Sequence, residues 1–157
     1  MPPRERAQQS GCVDSIEFRV TDQEYGTGRH RGVLPVIDGV SLVVLARRVE
    51  EPAADAEGHP DLAGSYAPLV SEGLPREHFL GRPYLSWFDD GDTVLLGCTC
   101  GDWGCWPLTA MVRVDARFVH WSHFRTGHRD WDLGDLGPFR FERRAYERAL
   151  TRCGLTP

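Results

Sequence analysis

The chain has 157 residues, 41% of them hydrophobic and 26% charged, with a net charge of −5. Those values describe one soluble globular domain able to bury roughly 70% of its unfolded surface, and the acidic balance argues against nucleic acid as a partner. No apolar run approaches the ~20 residues that span a bilayer, which argues against a membrane partner, and Met1 to Arg6 carries no apolar stretch of the secretory kind, so the cytoplasm is the expected compartment.

Residues 1–14 are polar and proline-bearing and read as a flexible N-terminus, with a single domain over 15–157. Ser15 to Val20 alternates as a strand would, with Ile16, Phe18 and Val20 on one face. Gln23 to Gly32 is glycine-rich and predicts a loop. Val33 to Ile37 predicts a short strand whose Pro35 favours an edge position. Asp38-Gly39 signals a turn, and Ser41 can cap a helix bearing the stripe Leu42, Leu45, Ala46 and Val49, with Arg47, Arg48 and Glu50 off it. Glu51 to Gly73 reads mostly as loop, anchored by Tyr66 and Leu69. Pro75 can open a helical turn reaching Phe79. Asp89 to Asp92 reads as a polar hairpin turn, because the twelve-residue ligand loop of a calcium site is missing.

Val94 to Phe124 carries the strongest β pattern. Gly101 to Gly104 forms a four-residue turn signal that would set Cys100 against Cys105, Cys98 against Pro107, Leu96 against Thr109 and Leu95 against Ala110. A second turn at Asp115-Ala116 would set Val114 against Arg117, Val112 against Val119 and Ala110 against Trp121. These registers place Leu95, Trp106, Leu108, Ala110, Val112, Val114, Val119 and Trp121 on a core face. The opposite face, with Cys98, Met111, His120 and Phe124, is apolar enough to need partial cover. Thr126 to Gly137 is a loop, and Phe139 with Phe141 reads as a short strand. Glu142 to Cys153 is the clearest helix: Ala145, Tyr146, Ala149, Leu150 and Cys153 share a face, and Gly154 follows at the C′ position. Arg144, Arg148 and Arg152 line another face, which reads as solvated. The expected fold is α+β, an antiparallel sheet of about five strands with the C-terminal helix packed on one face.

The string Gly97-Cys98-Thr99-Cys100-Gly101-Asp102-Trp103-Gly104-Cys105-Trp106-Pro107, with Val119-His120-Trp121 and Leu136 to Phe141, resembles a group of small uncharacterised actinobacterial proteins. The resemblance covers roughly residues 33–150. It implies a single-domain bacterial protein, and some members carry a generic oxidoreductase label. No nucleotide fingerprint accompanies it.

Three thiols within eight residues invite three readings. Zinc would need Cys98, Cys100, Cys105 and a fourth ligand, for which His128 is the nearest histidine on the cysteine side, although Cys98-x-Cys100-x₄-Cys105 is not knuckle spacing. Redox chemistry would pair Cys100 with Cys105, with Cys98 as a resolving thiol. Plain burial would make all three small hydrophobes under Trp103 and Trp106. In the same way, His120 and His123 read as packing residues. The leading expectation is a cytoplasmic binding or interaction protein, without a cofactor, whose partner is a protein or small molecule. The alternative is a metal- or thiol-dependent oxidoreductase centred on Cys98, Cys100 and Cys105.

Overall fold

A computed structural model describes residues 12–25 and 28–155. The fold is α+β, with antiparallel sheets and a C-terminal helix. The chain runs β1 (Ile16–Tyr25), β2 (Gly28–Ile37), β3 (Val40–Ser41), α1 (Leu42–Ala56), β4 (Tyr66–Ala67), β5 (Leu69–Val70), β6 (Thr93–Cys98), β7 (Leu108–Val114), β8 (Phe118–Thr126), β9 (Phe139–Glu142) and α2 (Arg143–Arg152). Five strands form one antiparallel sheet, in the order β4-β6-β7-β8-β9; the number is as expected, but β4 lies in a segment expected as loop. The strands expected at Ser15–Val20 and Val33–Ile37 form, longer than expected, in a separate second sheet, β1-β2-β3 with β5 also on β2.

The glycine-rich segment expected as a loop extends the β1–β2 hairpin of that sheet. Asp22 faces Arg31 and Glu24 faces Arg29 across the hairpin, and such opposite charges favour pairing. Asp38 and Gly39, with φ of 50° and 82°, make the two-residue turn into β3. Pro35 is not on an edge strand, since β2 is paired on both sides. It lies instead in the gap between Val33, paired with β5, and Val36, paired with β3. Ser41 caps α1, accepting from the Val44 N–H at 3.2 Å. The helix runs on to Ala56 through Pro52, beyond the boundary expected from sequence. Glu50, placed off the apolar stripe by pattern, is fully buried, and accepts from the Tyr66 hydroxyl and, at 2.8 Å, from the Gly64 N–H. Tyr66 and Leu69 are buried anchors as expected.

Both expected registers are corrected. In β6–β7, Leu96 faces Leu108, Val94 faces Thr109 and Thr93 faces Ala110, with a bulge between Val94 and Leu96. The strands end at Cys98 and restart at Leu108, so Cys100 and Cys105 are off the ladder. Two turns fill the interval, closed by Gly101 N–H to Cys98 C=O at 3.0 Å and Cys105 N–H to Asp102 C=O at 3.1 Å. In β7–β8, Val112 faces Trp121 and Val114 faces Val119. Asp115 sets this register: its carboxylate accepts from the N–H groups of Arg117 at 2.9 Å and Phe118 at 2.7 Å, which moves the turn one residue along. The slip is two residues, so faces are preserved. Trp121 is buried and His120 lies on the opposite, half-buried face.

One apolar core joins both sheets and α2. At its centre the Trp121 Nε1–H donates to the Tyr146 hydroxyl at 3.1 Å, which donates to the Phe79 carbonyl at 2.6 Å. Phe18 of β1 packs on Phe79, Tyr146 and Trp121, with centroids 5.0, 5.3 and 6.3 Å away. Of the segment expected to be flexible, residues 1–11 lie outside the described residues. Asp14 bridges Phe141 and donates its N–H to the Arg140 carbonyl at 2.7 Å. No helix among the described residues is long and apolar enough to cross a membrane.

Candidate functional site

The cysteine loop is shaped by glycine at a point of close approach. Gly101 has a φ of 95°, and a Cβ there would lie 2.7 Å from Cγ of Tyr25. The loop is thereby laid on the end of β1. Cys98 is half-buried, while Cys100 and Cys105 are exposed, and all three are free thiols. Burial as small hydrophobes therefore does not describe two of the three. Trp103 packs on Gly97, and Trp106 stacks with His128 at 6.1 Å.

Cys100 is the centre of the group. The Asp102 N–H donates to its sulfur at 3.4 Å. That bond, followed by hydrogen bonds with the Cys98 and Cys105 thiols, holds the Cys100 thiol below its ordinary pKa. Cys105 moves the other way, pushed up to about 11 chiefly by its hydrogen bond to Cys100. Of the two, Cys100 is thus the thiol that ionises more readily. Tyr25 is a neighbour that sequence reasoning missed, having assigned it to a loop. Its hydroxyl is buried with no hydrogen-bond partner among the described residues, and burial, then the charges of Cys100 and Cys98, raise its pKa.

His128 does not close a ligand shell. Its Nε2 lies 3.0 Å from the Gly104 carbonyl, and its ring sits between Trp87, at 4.8 Å, and Trp106. Among the described residues no three His, Cys, Asp or Glu side chains are grouped to hold a metal ion, so Cys98, Cys100, Cys105 and His128 form no preassembled zinc site.

A second site lies on the outer face of the five-stranded sheet. Between Thr109–Arg125 and Met111–Ser122 the register slips, leaving β8 one residue longer than its partner. His123 occupies the slip with a φ of 56°, a conformation that costs a non-glycine residue energy and often marks a functional position. The bulge breaks the alternation of side chains, so Ser122, His123, Phe124 and Arg125 all line one cavity of about 610 Å³. The loop carrying Trp131, Leu133 and Leu136 forms another of its walls. This loop is the cover the apolar outer face required. Ser122 and Pro138 also line an adjoining cavity of about 310 Å³, bounded by Arg113, His120 and Arg140. No period in the sequence signals a bulge at His123, so this trough was not legible there.

Comparisons of the chain with family models, with curated sequences and with solved structures give no match.

Proposed function

We propose that the protein works through thiol–disulfide exchange at Cys100, with Cys105 as the resolving thiol. The observation that carries this reading is the exposure of the free thiols Cys100 and Cys105 on one short loop, with the Cys100 sulfur accepting the Asp102 N–H at 3.4 Å. The Cys100 thiolate attacks one sulfur of a substrate disulfide, forming a mixed disulfide and releasing one thiolate. Cys105 then loses its proton and attacks the Cys100 sulfur, releasing the second thiol and leaving a Cys100–Cys105 disulfide. The substrate gains two electrons and the protein dithiol loses two. Reaction with the disulfide of thionitrobenzoate, followed by intact mass, tests the sequence. Wild type should release two thionitrobenzoates at the cluster and retain none. The Cys98→Ala/Cys105→Ser variant should retain one on Cys100, and Cys100→Ser should slow the fast phase by roughly tenfold or more. An adduct that persists on wild type, or a Cys100 no faster than Cys12, would defeat the reading.

A binding role is the second reading, and its own observation favours it. The strained bulge at His123 turns consecutive side chains into one trough, which is where a small molecule would be held.

A further inference from the structure

Strand β1 ends its sheet as an open edge. It pairs with β2 alone, and among the described residues no backbone group is hydrogen-bonded along the other side of residues 16–20. One bond fixes which groups face that side. The Asp38 N–H donates to the Ser15 carbonyl at 3.1 Å, so Ser15 is turned toward β2, and alternation turns Glu17 and Arg19 the same way. Ile16, Phe18 and Val20 then present their N–H and C=O groups to the open side. Asp14 is drawn off to β9, its N–H meeting the Arg140 carbonyl at 2.7 Å, and Asp22 and Glu24 charge the far half of the strand. The helix α2 does not close the free stretch. A cavity of about 460 Å³ lies between residues 16–20 and Ala149, Arg152 and Cys153.

Proline, bulges and inward charges are the usual protection of such an edge, because a bare one pairs with the next strand it meets. Residues 16–20 carry none of these. Their ladder to β2 is unbroken, Phe18 is buried, and the charged pair Glu17 and Arg19 is exposed on the outer face. The order of those charges matches a second copy of the same strand. Around a two-fold axis at Phe18, antiparallel pairing sets Phe18 on Phe18 and Ile16 on Val20. These are the residues with open backbone groups, so each facing pair can exchange both bonds. Glu17 then stands against Arg19 of the second copy, at the positions where side chains approach most closely. The ion pair they make within one chain, at 3.0 Å, becomes part of a network across both. The two neighbouring registers that keep the same bonding pattern fail, one setting Glu17 on Glu17 and the other Arg19 on Arg19. We infer that two copies of the chain join through β1 in the register centred on Phe18, making one continuous sheet from their two second sheets. Ile16 and Val20, half-buried in the single chain, cover each other there. An extended segment of another protein can use the same backbone groups, but the mirrored Glu17 and Arg19 favour the second copy.

Sedimentation velocity of the full-length protein from low to high micromolar concentration tests the inference. The seam is short, about 16 Å at ~3.3 Å per residue, so the dimer should form in a concentration-dependent way and dominate at the high end. Arg19→Glu and Glu17→Arg should each weaken it by roughly tenfold or more, since either sets like charges opposite each other twice. An equimolar mixture of those two variants should dimerise as wild type does, because every facing pair is then of opposite sign. The double exchange Glu17→Arg/Arg19→Glu should dimerise alone for the same reason. Both side chains are more than half exposed, and an unchanged melting temperature in dilute solution verifies that each variant folds. A wild type that stays monomeric would overturn the inference and leave the edge to an extended segment of another protein. A dimer indifferent to Arg19→Glu would overturn it by placing the contact on another face. A mixture that fails to pair would defeat the register.

Discussion

Gly101 is held between two demands that no other residue meets together. Its φ of 95° belongs to glycine, and the Tyr25 ring occupies the space a side chain would need. Gly101→Ala should therefore lift the loop from β1 at a cost of about 1–3 kcal/mol. The hydrogen bonds that depress Cys100 should loosen with it. The expected result is a shift of the Cys100 thiol–disulfide rate profile toward higher pH with the far-ultraviolet spectrum unchanged. A variant with the wild-type pH profile would show that Tyr25 does not shape the site. At this scale the sequence was partly readable. Three close cysteines mark themselves by spacing alone. Their exposure did not, because it depends on strands that stop at Cys98 and resume at Leu108. Asp115 shows the same limit: one side chain accepting two N–H groups moved a turn by one residue, and hydrophobic pattern cannot register that.

At the scale of elements, α2 was the most legible because every local signal agrees. Its buried Tyr146, Ala149 and Leu150 follow helical spacing, the exposed Arg144, Arg148 and Arg152 stand on the other side, and Gly154 with φ 78° ends it. Leu150 is fully buried against the core, so Leu150→Asp should cost roughly 4 kcal/mol in denaturant unfolding, by burying an unpaired charge. Arg148→Ala should stay within about 0.5 kcal/mol. Comparable losses for the two would place the core on the wrong face. Tyr146→Phe should cost about 1–3 kcal/mol, since it strands both the Trp121 donor and the Phe79 acceptor. The β1–β2 hairpin was the least legible element. Its outer halves carry charge and glycine where a strand usually carries β-branched residues, and only cross-strand pairing reveals why they extend.

At the scale of the whole molecule, residues 71–92 lead from the second sheet into the five-stranded one, and the helical turn expected from Pro75 to Phe79 forms there over Arg76–Phe79. Residues 71–92 contain little regular structure, yet His78 within them is fully buried. Its Nε2 lies 2.7 Å from the Val94 carbonyl, while Nδ1 receives the N–H groups of Tyr84 at 3.0 Å and Leu85 at 3.3 Å. This set of partners demands a neutral ring with its proton on Nε2, because a second proton on Nδ1 would point at two donors. Burial lowers the His78 pKa to about 4, despite the Val94 carbonyl, which acts in the opposite direction. Between that value and the ordinary value of about 6.5, the unfolded chain binds a proton that the folded chain does not. Stability from this group is therefore complete above pH 6.5 and falls as the pH drops toward 4, by about 3 kcal/mol. His78→Gln keeps a donor for Val94 but cannot titrate. Its unfolding free energy, measured beside wild type from pH 8 to pH 4, should start below wild type and close on it by about that amount. A constant difference across the range would mean that His78 takes up its proton without opening the contact between residues 78–85 and β6, and that acid unfolding begins elsewhere.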